Sequence, residues 1–240
     1  MASVNEILTR LNLNRRDLSN VSLSQLETVF KDLTVKEIST LCAVNRRFNT
    51  LCKDESFWRN KVFDDYGIKK KYGSTWRQTA ITMDKVNMIN LGTKWIDGRT
   101  YREILDDALK NGADTVLEAQ IQYLLPYVDG IDNATNLQFD FHDEKEIQDF
   151  VADELGKHYT YDELIDILLI KSSEIDVIYT TVLTYKGEHN LYLPGHTITD
   201  VTTGTALQSY SFLRDMIDPV IYVMQFSSFS NDKLDTVYIG

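Results

Sequence analysis

Residues 41–63 read LCAVNRRFNTLCKDESFWRNKVF, and the spacing of apolar residues in this stretch decides between helix and strand. Leu41, Val44, Phe48, Leu51 and Cys52 fall at i, i+3, i+7, i+10 and i+11. That is one apolar face of a helix with a period of about 3.6. Arg46, Arg47 and Asn49 occupy the other side. Lys53-Asp54-Glu55-Ser56 breaks the run, and Ser56 is the expected cap of the next turn. Phe57, Trp58, Val62 and Phe63 then face inward, with Gly67 as the C-cap. A continuous helix would hold the Cys42 and Cys52 sulfurs about 15 Å apart, beyond bridging distance. Residues 1–75 contain no histidine, and zinc needs about four ligands. The expectation is therefore two reduced core thiols, with no disulfide and no metal. The arginine pair is chemically able to touch phosphate, but charge scattered over apolar helices describes a packed module.

The same period extends towards the start of the chain. Ser3 and Glu6 have capping-box spacing ahead of Ile7, Leu8, Leu11 and Leu13, which predicts a helix over 4–12. Ser22 or Ser24 caps a following helix with Leu26, Val29 and Phe30 on one face. Thr34 and Glu37 form a second capping box before Ile38 and Leu41.

Charge divides the chain of 240 residues. Residues 1–75 hold 13 Lys+Arg and 9 Asp+Glu; residues 76–240 hold 12 and 27. The shift places a boundary near IKKKYGSTW (68–76), giving a helical domain over 1–73 and a second domain over 74–240. Lys69 to Lys71 form either a small basic patch or cations suited to a helix end. The acidic second part argues against phosphate-backbone binding. The start, MASVNEILTR, lacks the basic and apolar regions of a secretory signal, and no apolar run approaches the roughly 20 residues that span a bilayer. With two cysteines, this predicts a reducing, intracellular setting, without membrane or nucleic-acid partners.

Beyond the boundary, Trp76, Ala80, Met83, Val86 and Ile89 keep helical spacing up to Gly92. GRTYREILDDALKNGADTVLEAQIQYLLP (98–126) reads as two helices, with Thr100 and Asp114 as N-caps and Gly112 as a C-cap. Its ALKNGAD is similar to an ankyrin junction, but the period of about 33 residues that ankyrin arrays need is missing. Two more helices are expected over 143–159 and 160–172. Residues 176–187, 220–229 and 235–240 are rich in β-branched and aromatic residues and read as strands, with a helix over 205–218 between them. The expected fold class is α+β: a small all-α module, then a helix-rich domain ending in β-strands.

Neither GTKWIDG nor TTGTAL matches a phosphate-binding glycine loop, and no HExxH, GxSxG or EF-hand pattern appears. The densest polar cluster is FDFHDEKE (139–146), with Asp140, His142, Asp143 and Glu144. It reads as a metal or acid–base site or as an acidic turn opening a helix. His158, His189 and His196 have no ligand spacing. No catalytic residue, metal or cofactor is nominated.

Residues 21–63 resemble an F-box. The blocks that carry the resemblance are Leu26-x-x-Val29-Phe30, Leu33-Thr34-x-x-Glu37-Ile38, Leu41-Cys42-Ala43-Val44-Asn45-Arg46-Arg47-Phe48 and Asp54-Glu55-Ser56-Phe57-Trp58. With the later Asp-Tyr-Gly and Thr-Trp they look like F-box-like proteins of giant double-stranded DNA viruses. Val21-Ser22 stand where the family has Leu-Pro. The resemblance implies an intracellular, non-enzymatic substrate adaptor that recruits a target protein to a Skp1–cullin ubiquitin ligase. If viral, it acts on host proteins in the host cytoplasm or nucleus. The surface or core that would meet Skp1 comprises Val21, Leu26, Val29, Phe30, Leu33, Ile38, Leu41, Val44, Phe48, Leu51 and Trp58. A structural or packaged virion protein that keeps the fold without ligase work is the alternative, and an enzyme within 76–240 a third class.

Overall fold

A computed structural model describes residues 4–11, 23–44, 46–140, 144–186, 216–231 and 233–234, and every regular element within them is a helix. The chain divides into two units, Met1–Gly92 and Thr93–Gly240. The division lies beyond the charge shift near residue 73.

The first unit contains α1 (Val4–Arg10), α2 (Leu23–Lys31), α3 (Val35–Val44), α4 (Arg46–Leu51), α5 (Glu55–Tyr66) and α6 (Trp76–Lys85). The Thr34–Glu37 capping box starts α3: the Glu37 backbone N–H donates to Thr34 Oγ1 at 3.2 Å, and Thr34 N–H donates to Glu37 Oε2 at 3.0 Å. The cap of α5 is Asp54, which accepts from Ser56 N–H at 2.8 Å, rather than Ser56 itself. A carboxylate there also suits the positive end of the helix dipole. Gly67 closes α5 in the left-handed conformation, as its position in the sequence predicts. α6 packs on α5 and stops at Lys85, short of the expected Gly92, because Asn87 takes a positive φ of 48°. Ser3, the other half of the first expected capping box, lies outside the described residues.

The second unit holds α7 (Tyr101–Asn111), α8 (Asp114–Leu124), α9 (Ile131–Asp140), α10 (Glu144–Leu155), α11 (Tyr161–Ile170), α12 (Ser173–Lys186) and α13 (Pro219–Phe226). Thr100 with Glu103, and Thr160 with Glu163, form complete capping boxes. Gly112 ends α7 as expected, whereas Asp114 lies inside the first turn of α8, behind Ala113 at the cap. α12 is the central helix. It packs against α7, α8 and α13, and Ile175, Ile178, Thr180, Thr181 and Val182 are fully enclosed. A polar seam ties α8, α9 and α11: buried Gln120 donates to Ile170 O at 3.1 Å and accepts from Gln138 at 2.8 Å. Lys171 donates to the carbonyls of Leu137 and Gln138 at the end of α9.

The expected α+β class is corrected. Among the described residues there is no strand, only an isolated bridge between Lys94 and Thr100. The segment read as a strand over 176–187 is the body of α12, and that over 220–229 is largely α13. Their β-branched residues fill a helix enclosed by others, where packing outweighs a modest intrinsic preference. The third expected strand, 235–240, and most of the expected helix over 205–218 lie outside the described residues.

Candidate functional site

The core of the first unit is a chain of rings running across α2, α4 and α5. Phe48 meets Phe30 at 5.2 Å between centroids, Phe30 meets Phe57 at 5.9 Å, and Phe57 meets Trp58 at 5.2 Å. The last two contacts are edge-to-face, the arrangement that the ring quadrupole favours. Trp58 is fully buried, and its indole N–H donates to Cys52 O at 2.9 Å. This bond fixes α5 against the end of α4.

Cys42 and Cys52 are joined in a disulfide, with Cα atoms 6.2 Å apart. This corrects the expectation of two reduced thiols. The 15 Å separation assumed one helix, but α3 ends at Val44 and α4 starts at Arg46. α3 and α4 pack on each other and bring the two side chains face to face, within the usual range for a bridge. The pairing also removes the cysteine argument for a reducing compartment. The ten-residue separation corresponds to about 2–3 kcal/mol of stabilisation on the chain-entropy account. A reductant should therefore lower the urea midpoint of the first unit, and should not move that of a Cys42→Ser, Cys52→Ser variant. An identical midpoint for wild type with and without reductant would overturn the assignment.

A cleft of about 200 Å³ lies between α2 and α5, lined by Glu27, Lys31, Ser56, Phe57, Asn60, Lys61 and Asp64. Lys61 forms part of its base. Only 5% exposed, it donates to Lys31 O at 2.8 Å and to Asp65 Oδ1 at 2.9 Å. The ammonium thus caps the last carbonyl of α2, where the helix dipole favours a cation. Burial pushes the Asp65 carboxyl above its ordinary range, and the Lys61 ammonium opposes this. The cleft is smaller than the roughly 300–1,000 Å³ of small-molecule sites. Its role in holding α2 to α5 was not readable from sequence, because a lysine in the pattern RNKVF signals an exposed position.

Glu37 performs two tasks. Besides capping α3, its carboxylate accepts from Arg10 at 2.8 Å, which anchors α1. The Arg10 hydrogen bond, then Thr34, hold the Glu37 carboxyl below its ordinary range against the opposing effect of burial. A depressed folded-state value stabilises the fold above the ordinary carboxylate range, and the contribution is lost as pH falls through the folded value.

Of the expected partner-binding residues, Phe30, Leu33, Ile38, Leu41, Phe48, Leu51 and Trp58 are buried inside the first unit, and Val29 is half-buried. Leu26 and Val44 lie within α2 and α3. Val21 is outside the described residues. Phe63, expected to face inward, is instead 46% exposed, with Lys69 Nζ 5.5 Å from its ring centre. The inward face of α5 is already taken by Trp58, Val62 and Tyr66.

In the second unit, FDFHDEKE does not form a describable site: 141–143 lie outside the described residues. Among the described residues no group of three or more His, Cys, Asp or Glu is placed to hold a metal ion. No described helix is long and apolar enough to cross a membrane.

Comparison with known families assigns one part of the chain. Residues 25–64 match the F-box-like family model, which spans α2 to α5 and therefore the ring core, the disulfide and the cleft. The chain thus carries an F-box-like domain, and nothing in the match indicates a viral source. No curated protein and no solved structure matches the chain.

Proposed function

We propose that the chain is a non-enzymatic adaptor inside the cell: its F-box-like domain docks a Skp1-type protein, and its second unit holds a target for ubiquitination. The observation that carries this reading is the F-box-like match over 25–64, a domain type that serves protein interaction. Seven of the eleven candidate contact residues are core. Their contribution to docking is to hold the shape of the domain, while exposed groups such as Phe63 supply contact.

Val21-Ser22 weaken this docking. A proline in place of Ser22 restricts φ and lowers the cost of ordering the segment, and leucine in place of Val21 adds a methylene worth about 0.8 kcal/mol when fully buried. A combined deficit of about 1–2 kcal/mol corresponds to roughly five- to thirty-fold in affinity. Calorimetric titration of Skp1 into wild type and a Val21→Leu, Ser22→Pro variant measures it. Tighter binding by the variant, by that factor, is the expected result. Absence of binding by both at concentrations well above micromolar rejects the adaptor reading in favour of a structural protein that retains the fold.

A further inference from the structure

α11 is apolar on two opposite faces. Leu164, Ile167 and Ile170 point into the second unit and are buried. Tyr161, Ile165 and Leu169 recur at i, i+4 and i+8 on the other side, 71%, 38% and 50% exposed. A helix that serves only as a wall of a core has one apolar stripe and a polar outer face. Scattered exposed apolar residues are ordinary; three in register along one helix form a contiguous strip. The strip is also held rigidly. The Thr160–Glu163 capping box fixes its start. At its end Trp95 Nε1 donates to Leu169 O at 3.1 Å, and the Trp95 ring meets the edge of Tyr123, itself 38% exposed, at 5.4 Å. Just beyond, Gln120 donates to Ile170 O, and Lys171 donates to Gln138 O at the end of α9.

Charge selects the occupant. Asp162 and Asp166 border the strip one and two turns along the same helix, and Asp166 is oriented by the Tyr127 hydroxyl at 3.0 Å. The unit as a whole, Thr93–Gly240, holds 10 Lys+Arg against 26 Asp+Glu. A second copy is disfavoured on this ground. An antiparallel pair of α11 helices lays the two acidic borders side by side, and either pairing opposes two units each of net charge −16. A nucleic acid is repelled by the same field.

We infer that the outer face of α11, formed by Tyr161, Ile165 and Leu169 and bordered by Asp162 and Asp166, is a docking surface for a cationic amphipathic helix of a partner protein. Apolar residues of that helix lie along the strip, and lysines or arginines beside them meet the acidic border. This is the helix-on-groove mode of peptide recognition, with electrostatic complementarity setting partner choice. The inference stands on the second unit alone and does not require that Skp1 be bound.

The test uses the full chain and a fluorescein-labelled helical peptide of about 18 residues, five turns long, with leucines on one face flanked by lysines. A second peptide carries glutamate in place of every lysine. Fluorescence anisotropy should show binding of the lysine peptide, weakened by added salt, and binding of the glutamate peptide weaker by about tenfold or more. Ile165→Gln with Leu169→Gln should cost about tenfold or more in affinity for the lysine peptide, and Asp162→Lys a smaller factor that vanishes at high salt. Ile221→Gln, an equally exposed apolar residue on α13, should leave binding unchanged. Equal affinity for both peptides, or an Ile165→Gln, Leu169→Gln variant that binds as wild type does, overturns the proposal. So does a concentration-dependent dimer in sedimentation that this variant abolishes, because the strip is then covered by a second copy.

Discussion

Replacing Trp58 by alanine should destabilise the first unit by about 3–5 kcal/mol, the range for deleting a large buried ring. Three losses add. The ring is fully enclosed, so its removal leaves a cavity that neighbouring side chains fill only in part. It ends the ring chain of Phe48, Phe30 and Phe57, so the edge-to-face contact with Phe57 goes as well. The carbonyl of Cys52 then loses the donor it has in a buried setting, and an unmade buried hydrogen bond costs about 1–3 kcal/mol. Trp58→Phe separates these terms in part, because it retains a six-membered ring against Phe57 and removes the N–H together with the rest of the indole. It should cost clearly less than alanine, with the loss concentrated at the Cys52 end of α4. Guanidinium unfolding combined with hydrogen exchange over residues 35–62 measures both. A Trp58→Ala protein with an unchanged midpoint would show that α5 is not anchored through this ring.

Why this core is legible from sequence, and the second unit less so, follows from the kind of signal each carries. In 41–63 the apolar residues recur with the helical period while charged residues fill the other face, so the pattern admits one secondary structure. Thr34, Glu37, Gly67, Thr100 and Gly112 mark helix ends by chemistry that does not depend on distant residues, and the structure places each at an end. Two errors in the same region come from what the helical period leaves open. The two helices α3 and α4 keep the apolar spacing of one, so their division passes unseen, and with it the approach of Cys42 to Cys52. Phe63 is misassigned because the period fixes which residues share a face but not how wide the buried face is.

α12 fails differently. Ile175, Ile178 and Val182 share a helical face at i, i+3 and i+7, yet the run around them is so uniformly apolar and β-branched that helix and strand periods both fit. What decides is the set of partners, α7, α8 and α13, and those come from distant parts of the chain. The strip on α11 is the converse case. Its spacing stands openly in YDELIDILLI, but an apolar residue there reads as core until the structure shows that Leu164, Ile167 and Ile170 already fill the inner face. The cleft-forming Lys61 has no sequence signal at all. Its burial follows from where α2 ends, a tertiary fact.

Gly67→Ala should destabilise the first unit by more than about 3 kcal/mol, because two penalties coincide at one atom. The first is conformational. Gly67 has φ 66°, where a Cβ costs roughly 1–2 kcal/mol. The second is steric. A Cβ there would lie 2.4 Å from the backbone nitrogen of Gly92 and 2.9 Å from the carbonyl carbon of Leu91. Backbone cannot swing aside as the tip of a side chain can. Nor is this backbone free to retreat: Leu91 N–H donates to Tyr66 O at 3.1 Å, and Asn90 joins both segments by donating to Asp64 O at 3.2 Å and accepting from Gly92 N–H at 2.8 Å. Relieving the clash therefore breaks the bonds that fasten residues 90–92 to the end of α5. Gly98 supplies the control, since its φ is 83° but nothing lies within 4 Å of its would-be Cβ. Gly98→Ala should show the conformational cost alone. Asparagine tolerates the left-handed region better than alanine, so Gly98→Asn should be milder than Gly98→Ala, whereas Gly67→Asn should stay as damaging as Gly67→Ala. Denaturation curves of the four variants and wild type decide it. If Gly67→Ala and Gly98→Ala shift stability equally, the packing of residues 90–92 against Gly67 contributes nothing, and the C-cap of α5 is a turn rather than a clamp.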